Sequence, residues 1–125
     1  MLRRLLWIDC LGAFAVGAGV LTLSVWLAPF LGFPRWAVIG EGLANLVYGS
    51  FSYSLARQAS PPLRLVRRLA AMNVAWGLTA LGLAVVSHGA VTAFGTAHLV
   101  VNFLYVGGLG LMEWRSASQS EFAAA

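Results

Sequence analysis

Apolar positions fall into four long runs, residues 5–30, 36–55, 69–87 and 90–114. Crossing a bilayer takes roughly 20 apolar residues in helical form, at about 1.5 Å rise each. The separators carry turn and breaker chemistry. Pro29 and Pro34 bracket the first connection, Pro61 and Pro62 mark the second, and Ser87, His88 and Gly89 make the third. The runs lack the two-residue alternation of a membrane barrel, and isolated strands cannot span lipid, so the pattern predicts helices. The expected fold is an all-α integral membrane protein, a four-transmembrane-helix bundle forming a single domain over residues 1–115. The polar, small stretch "SASQSEFAAA", residues 116–125, is expected to be a disordered tail. The first run is too long for the 7–15-residue core of a signal peptide and holds Asp9 near its start, so it is expected to be a retained helix.

Polar residues interrupt the runs in register. In "GEGLANLVYG", residues 40–49, Glu41, Asn45 and Tyr48 are followed by Ser52, with spacings of 4, 3 and 4 that place them on one helix face. The fourth run repeats the pattern with His98, Asn102 and Tyr105, each 57 residues after its counterpart. Asp9 and Asn73 fall into the same frame if the first connection is seven residues longer, which is the length of "PFLGFPR". The arrangement predicts two parallel helix-hairpin repeats related by an axis along the membrane normal. Small residues face these stripes: Gly12, Ala15 and Gly19 in the first run, and Gly77, Ala80 and Ala84 beside Asn73 in the third. Small faces let helices approach, and polar groups cross-link them.

Composition identifies the solvent. Sixty per cent of the 125 residues are hydrophobic and ten per cent charged, against about 25% charged in a soluble domain. A chain this short cannot bury so much apolar surface by itself. The eight basic residues are all arginine, and their placement explains the high pI better than nucleic-acid binding does. With four crossings, Arg3, Arg4, Arg57, Arg64, Arg67, Arg68 and Arg115 lie on one side and Arg35 alone on the other. The positive-inside rule then puts both termini in the cytoplasm of a multi-pass protein of the inner or plasma membrane. Trp7 and Trp114 fall near the inner interface, Trp26 and Trp36 near the outer one, as tryptophan belts do. Trp76 lies two turns into the third run, away from both belts.

The charge bias also separates this chain from other short four-helix families. Small multidrug resistance transporters and fluoride channels include members that insert in two opposite orientations, which requires little bias. "GEGLANLVYGSF" faintly resembles a fluoride-channel stretch, but the Thr-Thr-Phe-Ser-Thr-Phe segment is missing, and the third run reads "MNVAWGLTALGLAVV". The first run lacks the membrane glutamate of the multidrug transporters. In length and layout the chain is similar to DoxX-like proteins, four-helix membrane proteins associated with quinone redox chemistry, with Gly40-Glu41-Gly42 as a local echo. That resemblance covers layout and carries over no residue role.

A carboxylate inside the membrane costs roughly 2.5–3.5 kcal/mol on insertion scales, which makes Glu41 a site candidate. Glu41 is five residues in from Trp36 and His98 eight in from Ala90, about 7 and 12 Å below the outer interface by helical rise. The two are expected to meet in the outer half of the bundle. The candidate ligand-binding set is Glu41, Asn45, Tyr48, Trp76, His98, Asn102 and Tyr105. Asp9 is expected to pair with Arg3 or Arg4, Glu113 to sit at the interface beside Trp114, and Cys10 to be a packing residue. No catalytic motif, phosphate loop, metal set or identifiable cofactor appears, and Glu41 with His98 falls short of the three or four ligands of a zinc site. Three readings remain: an outer-half pocket for a lipid-soluble ligand, quinone- or isoprenoid-like; a proton-coupled or ion pathway through a homo-oligomer; and an accessory subunit docked on a membrane partner. No nucleic-acid partner is expected.

Overall fold

A computed structural model describes residues 1–124, and among them the chain is helical with no strand. The helices are α1 (Leu2–Thr22), α2 (Ser24–Leu31), α3 (Arg35–Ala56), α4 (Leu63–Val86), α5 (Ala93–Asn102) and α6 (Gly108–Ala124), with a π turn over Phe103–Gly107 joining the last two. Three helical stretches are long and apolar enough to cross a membrane: Leu2–Thr22, Leu63–Val86 and Ala93–Ala124. Three such stretches mark a multi-pass membrane protein. The exposed surface agrees, since Val47, Val85 and Leu104 turn outward from the bundle, an arrangement disfavoured in water over large areas.

Several boundaries differ from the sequence reading. The first run is not one helix over 5–30. It divides at Leu23 into α1 and α2, and Pro29 inside α2 withholds one donor from the helical ladder. α3 has 22 residues, long enough to span, but is not among the three apolar stretches. Its glutamate, asparagine, serines and tyrosines dilute the apolar face. α4 begins at Leu63, capped by Pro62, so Arg64, Arg67 and Arg68 ride on its first turns rather than in the loop. The segment 116–124 is not an irregular tail either. α6 continues through it; Ala117 is fully buried against Leu6, Leu55 and Leu69, and Glu121 pairs with Arg67 on α4. A buried alanine and one ion pair hold a stretch whose polarity, read alone, signals disorder.

The connections are built from backbone chemistry. Gly32 ends α2 in the left-handed region at φ 76° and donates to the Ala28 carbonyl, a conformation glycine adopts without a Cβ penalty. Thr92 caps α5 by accepting from the Gly95 N–H at 3.1 Å. The same threonine ties the two hairpins together: its hydroxyl donates to the Phe30 carbonyl at 2.6 Å and its N–H to the Leu31 carbonyl at 3.2 Å. Phe30 and Phe94 stack beside it with centroids 4.3 Å apart.

Two tight helical hairpins result. In the first, α1 lies along α3, the most extensive pairing in the molecule. A Cβ on Gly42 would stand 2.7 Å from Leu21 Cγ, and one on Gly17 3.0 Å from the Gly42 carbonyl, so only glycine permits this approach. In the second, α4 lies along the π turn and α6, with Gly77 against Gly107 and Gly110 against Ala70 and Asn73. Dry packing between the hairpins is concentrated at the two ends. Leu6, Leu55, Val66, Leu69 and Ala117 close the end that holds the termini. Contacts of α2 with α3 and α5 close the other.

Candidate functional site

Between those ends the hairpins stand apart. No Cα of α3 comes within 8 Å of one in α5, and none of α1 within 8 Å of one in α4. The gap is a cavity of about 330 Å³, the size range of small-molecule sites. All seven residues singled out from the sequence line it: Glu41, Asn45 and Tyr48 from α3, Trp76 from α4, His98 and Asn102 from α5, and Tyr105 from the π turn. Gly12, Ala13 and Val16 of α1 and Met72 and Val101 opposite supply apolar wall.

Two polar clusters bridge the gap. Toward the Arg35 end, the Glu41 carboxylate meets His98 Nε2 at 2.8 Å. Both side chains are largely buried, at 11% and 23% exposed. The Nε2–H tautomer donates to the carboxylate. Asn102 lies one turn on and donates to the His98 carbonyl at 3.0 Å, while its Oδ1 accepts from the Trp76 indole at 3.2 Å. A line of contacts thus runs from α3 through α5 to α4. Asn45 takes no part in it across the gap, because its amide donates to the Glu41 carbonyl one turn back. Phe33 stands edge-on to the His98 ring, 6.2 Å between centroids.

Toward the termini, Asp9 of α1 is the centre of the second cluster. Its Oδ2 accepts from the Tyr48 hydroxyl at 2.6 Å and from the Ser52 hydroxyl at 2.8 Å, and its Oδ1 from the Asn73 amide at 3.4 Å. The same amide nitrogen donates to Glu113 Oε2 at 3.2 Å. This corrects two expectations. Asp9 does not pair with Arg3 or Arg4, which are exposed, because α3 and α4 offer it three neutral donors within the bundle. Glu113 is not interfacial but fully buried, since it shares an α6 face with Leu109, Gly110 and Ala117. That face was visible in the sequence as small or apolar residues at spacings of three and four, and the 64-residue frame already paired Asp9 with Asn73. The stripe on α3 is therefore split, Glu41 serving one cluster and Tyr48 with Ser52 the other.

Trp76 and Tyr105 line the cavity and are 38% and 48% exposed. The Tyr105 hydroxyl reaches across to α1, where a Cβ on Gly12 would lie 2.9 Å from it. The π turn that carries Tyr105 is a feature found often at functional sites. Cys10 is buried, its thiol 3.5 Å from the Trp7 carbonyl. No group of three His, Cys, Asp or Glu side chains among the described residues is placed to hold a metal ion.

The fold and cavity define a class: a small helical membrane protein with a polar-bridged chamber between two hairpins. No family model matches the chain, and neither the curated proteins nor the solved structures give a match.

Proposed function

We propose that this chain is a four-span bundle of the cell membrane, with both termini cytoplasmic, that binds a small lipid-soluble ligand of quinone or isoprenoid type in its central cavity. The observation that carries this reading is the chamber itself. Its walls are largely apolar, a few polar groups converge in it, and two of its lining residues, Trp76 and Tyr105, are exposed on the bundle's surface. This is the composition expected of small-molecule pockets. With the His98 N–H spent on Glu41, the second carboxylate oxygen remains as an acceptor and the Tyr105 hydroxyl is available as a donor to a polar head group, matching a quinol hydroxyl and a quinone carbonyl. The inward orientation of both polar stripes supports this reading over an oligomeric ion pathway or a docking subunit, which would turn the stripe outward. The fourth span is α3. It packs along α1 over most of its length, so it shares the depth of α1, and its polar groups face the interior instead of lipid. Arginine placement supports the orientation.

Tryptophan fluorescence tests the ligand. A short-chain benzoquinone titrated into the purified protein in nanodiscs is expected to quench emission saturably. Trp76→Phe should remove most of the saturable part, and Glu41→Gln should weaken binding about tenfold, equivalent to about 1.4 kcal/mol. Quenching that is linear and unchanged in both variants would overturn the quinone reading.

Topology is tested separately. A cysteine replacing Arg35 should be labelled only from outside the cell, and one replacing Arg64 only from within, in a Cys10→Ala background. Labelling of either from both sides would restore a dual orientation and, with it, the transporter reading.

A further inference from the structure

The donors of the Asp9 cluster are unevenly shared. Asp9 receives three hydrogen bonds, from Tyr48, Ser52 and Asn73. Glu113 receives one, at 3.2 Å. Its other oxygen, Oε1, is shut off from solvent with no partner, in a residue 0% exposed. An ionised carboxylate offers about four acceptor positions, and burying its charge with most of them empty is costly.

Among the described residues, no cation pairs with either acid. The charged and titratable groups facing them are Tyr48 from α3 and, across the cavity, Tyr105 from the π turn, with Cys10 next to Asp9 on α1. On α4 the facing group is the neutral Asn73. Arg67, six residues earlier, is engaged with Glu121 and the Trp114 ring. Two like charges in one buried site are resolved by protonating one of them. The donor count says which: Asp9 is solvated as an anion, and Glu113 is not.

We propose that Asp9 and Glu113 form a proton-binding site in which the two carboxyls hold one proton, resident on Glu113 Oε1 and exchanged with the cavity through Asp9. Asp9 lines the cavity and Glu113 does not. Both acids accept from the same Asn73 nitrogen, at 3.4 and 3.2 Å, so one amide separates the two carboxyls. In the exchange the O–H bond on Glu113 breaks as one forms on Asp9, and the negative charge passes from Asp9 to Glu113. The site stands whether or not the chamber holds a quinone, because it rests on donors and burial alone.

Infrared spectroscopy of the full chain in nanodiscs tests it. At neutral pH the protein is expected to show a carboxylic-acid C=O band that shifts in D₂O and is lost in Glu113→Gln. Asp9 is the only aspartate in the chain, so carboxyl-¹³C aspartate marks it without substitution, and that label should leave the band in place. The wild-type arms suffice if the variant does not fold. Absence of an acid band, a band that moves with the aspartate label, a band retained in folded Glu113→Gln, or one that never shifts in D₂O would each overturn the proposal. A failure of quinone binding leaves all four readouts unaffected.

Discussion

A double-mutant cycle on Glu41→Gln and His98→Ala is expected to return a coupling of about 1–2 kcal/mol, read by unfolding in mixed detergent. Two magnitudes compete here. Removing one partner of a buried ion pair in a soluble core costs about 3–5 kcal/mol, because the other is left charged and unpaired. Polar couplings between membrane helices average about 0.6 kcal/mol and reach about 1.7, because the alternatives also find partners. The second regime applies. Asn102 stands 3.3 Å from His98 Nε2, ready to take up a histidine that has lost Glu41, and the cavity beside the pair is open to one flank. The coupling is still above the noise of additivity, about 0.3–0.5 kcal/mol, because this contact is one of only two polar bridges across helices whose backbones do not meet. Strictly additive effects would show that each group is satisfied without the other.

Gly95→Ala is expected to be the more damaging single change. Its Cβ would be driven onto the Leu31 carbonyl oxygen. That oxygen belongs to backbone and already accepts the Thr92 N–H, so it cannot swing aside as a side chain would. Overpacking costs about 1–3 kcal/mol where side chains can adjust, and this substitution should sit at or beyond the upper end. α2 and α5 would separate, the Thr92 bonds would lengthen, and the hairpins would splay at the Glu41–His98 end. Gly82→Ala is the matched control. Open space surrounds it on α4, so the change should gain up to about 1 kcal/mol from helix propensity. Equal effects of the two changes on thermal stability in detergent would refute the assigned contact.

The helical fold and the polar pairing were legible in the sequence for the same reason: both are periodic. The apolar runs located the helices, and the 57-residue frame brought Glu41 opposite His98. Breaks that depend on one backbone conformation left no trace. Nothing at Leu23 announces that α1 ends there. The tail was misread because its helix is held by contacts distant in sequence, Ala117 with Leu6 and Glu121 with Arg67. Glu113 was missed because its neighbours Trp114 and Arg115 read as an interface, while the face it occupies is defined by residues three and four positions away. Asp9 was placed beside the nearest arginines in sequence, when its partners lie 39, 43 and 64 positions on.

The π turn at Phe103–Gly107 has a consequence for the two halves of the chain. Such a turn accommodates one extra residue in a helix. Before it, counterparts are 57 apart, as Glu41 and His98 are, or Asn45 and Asn102. At its last residue the match moves to 58: Gly49, packed on Ala13, corresponds to Gly107, packed on Gly77, with Ala13 and Gly77 themselves 64 apart like Asp9 and Asn73. The slip is one residue, and the bulge absorbs it locally. His98 stays in phase with Glu41 before the turn, and after it Gly110 packs on Asn73 where Ser52, 58 residues earlier, bonds Asp9. An extra residue left unabsorbed would turn α6 by about 100°. On this retained frame Glu113 meets Asn73 at 3.2 Å, and the residue 58 positions before it is Leu55, not an acid. The asymmetry between the hairpins is thus a change of side chain on a preserved frame, Leu55 in one and Glu113 in the other, both buried, so each hairpin brings one acid to the same site from a different helix.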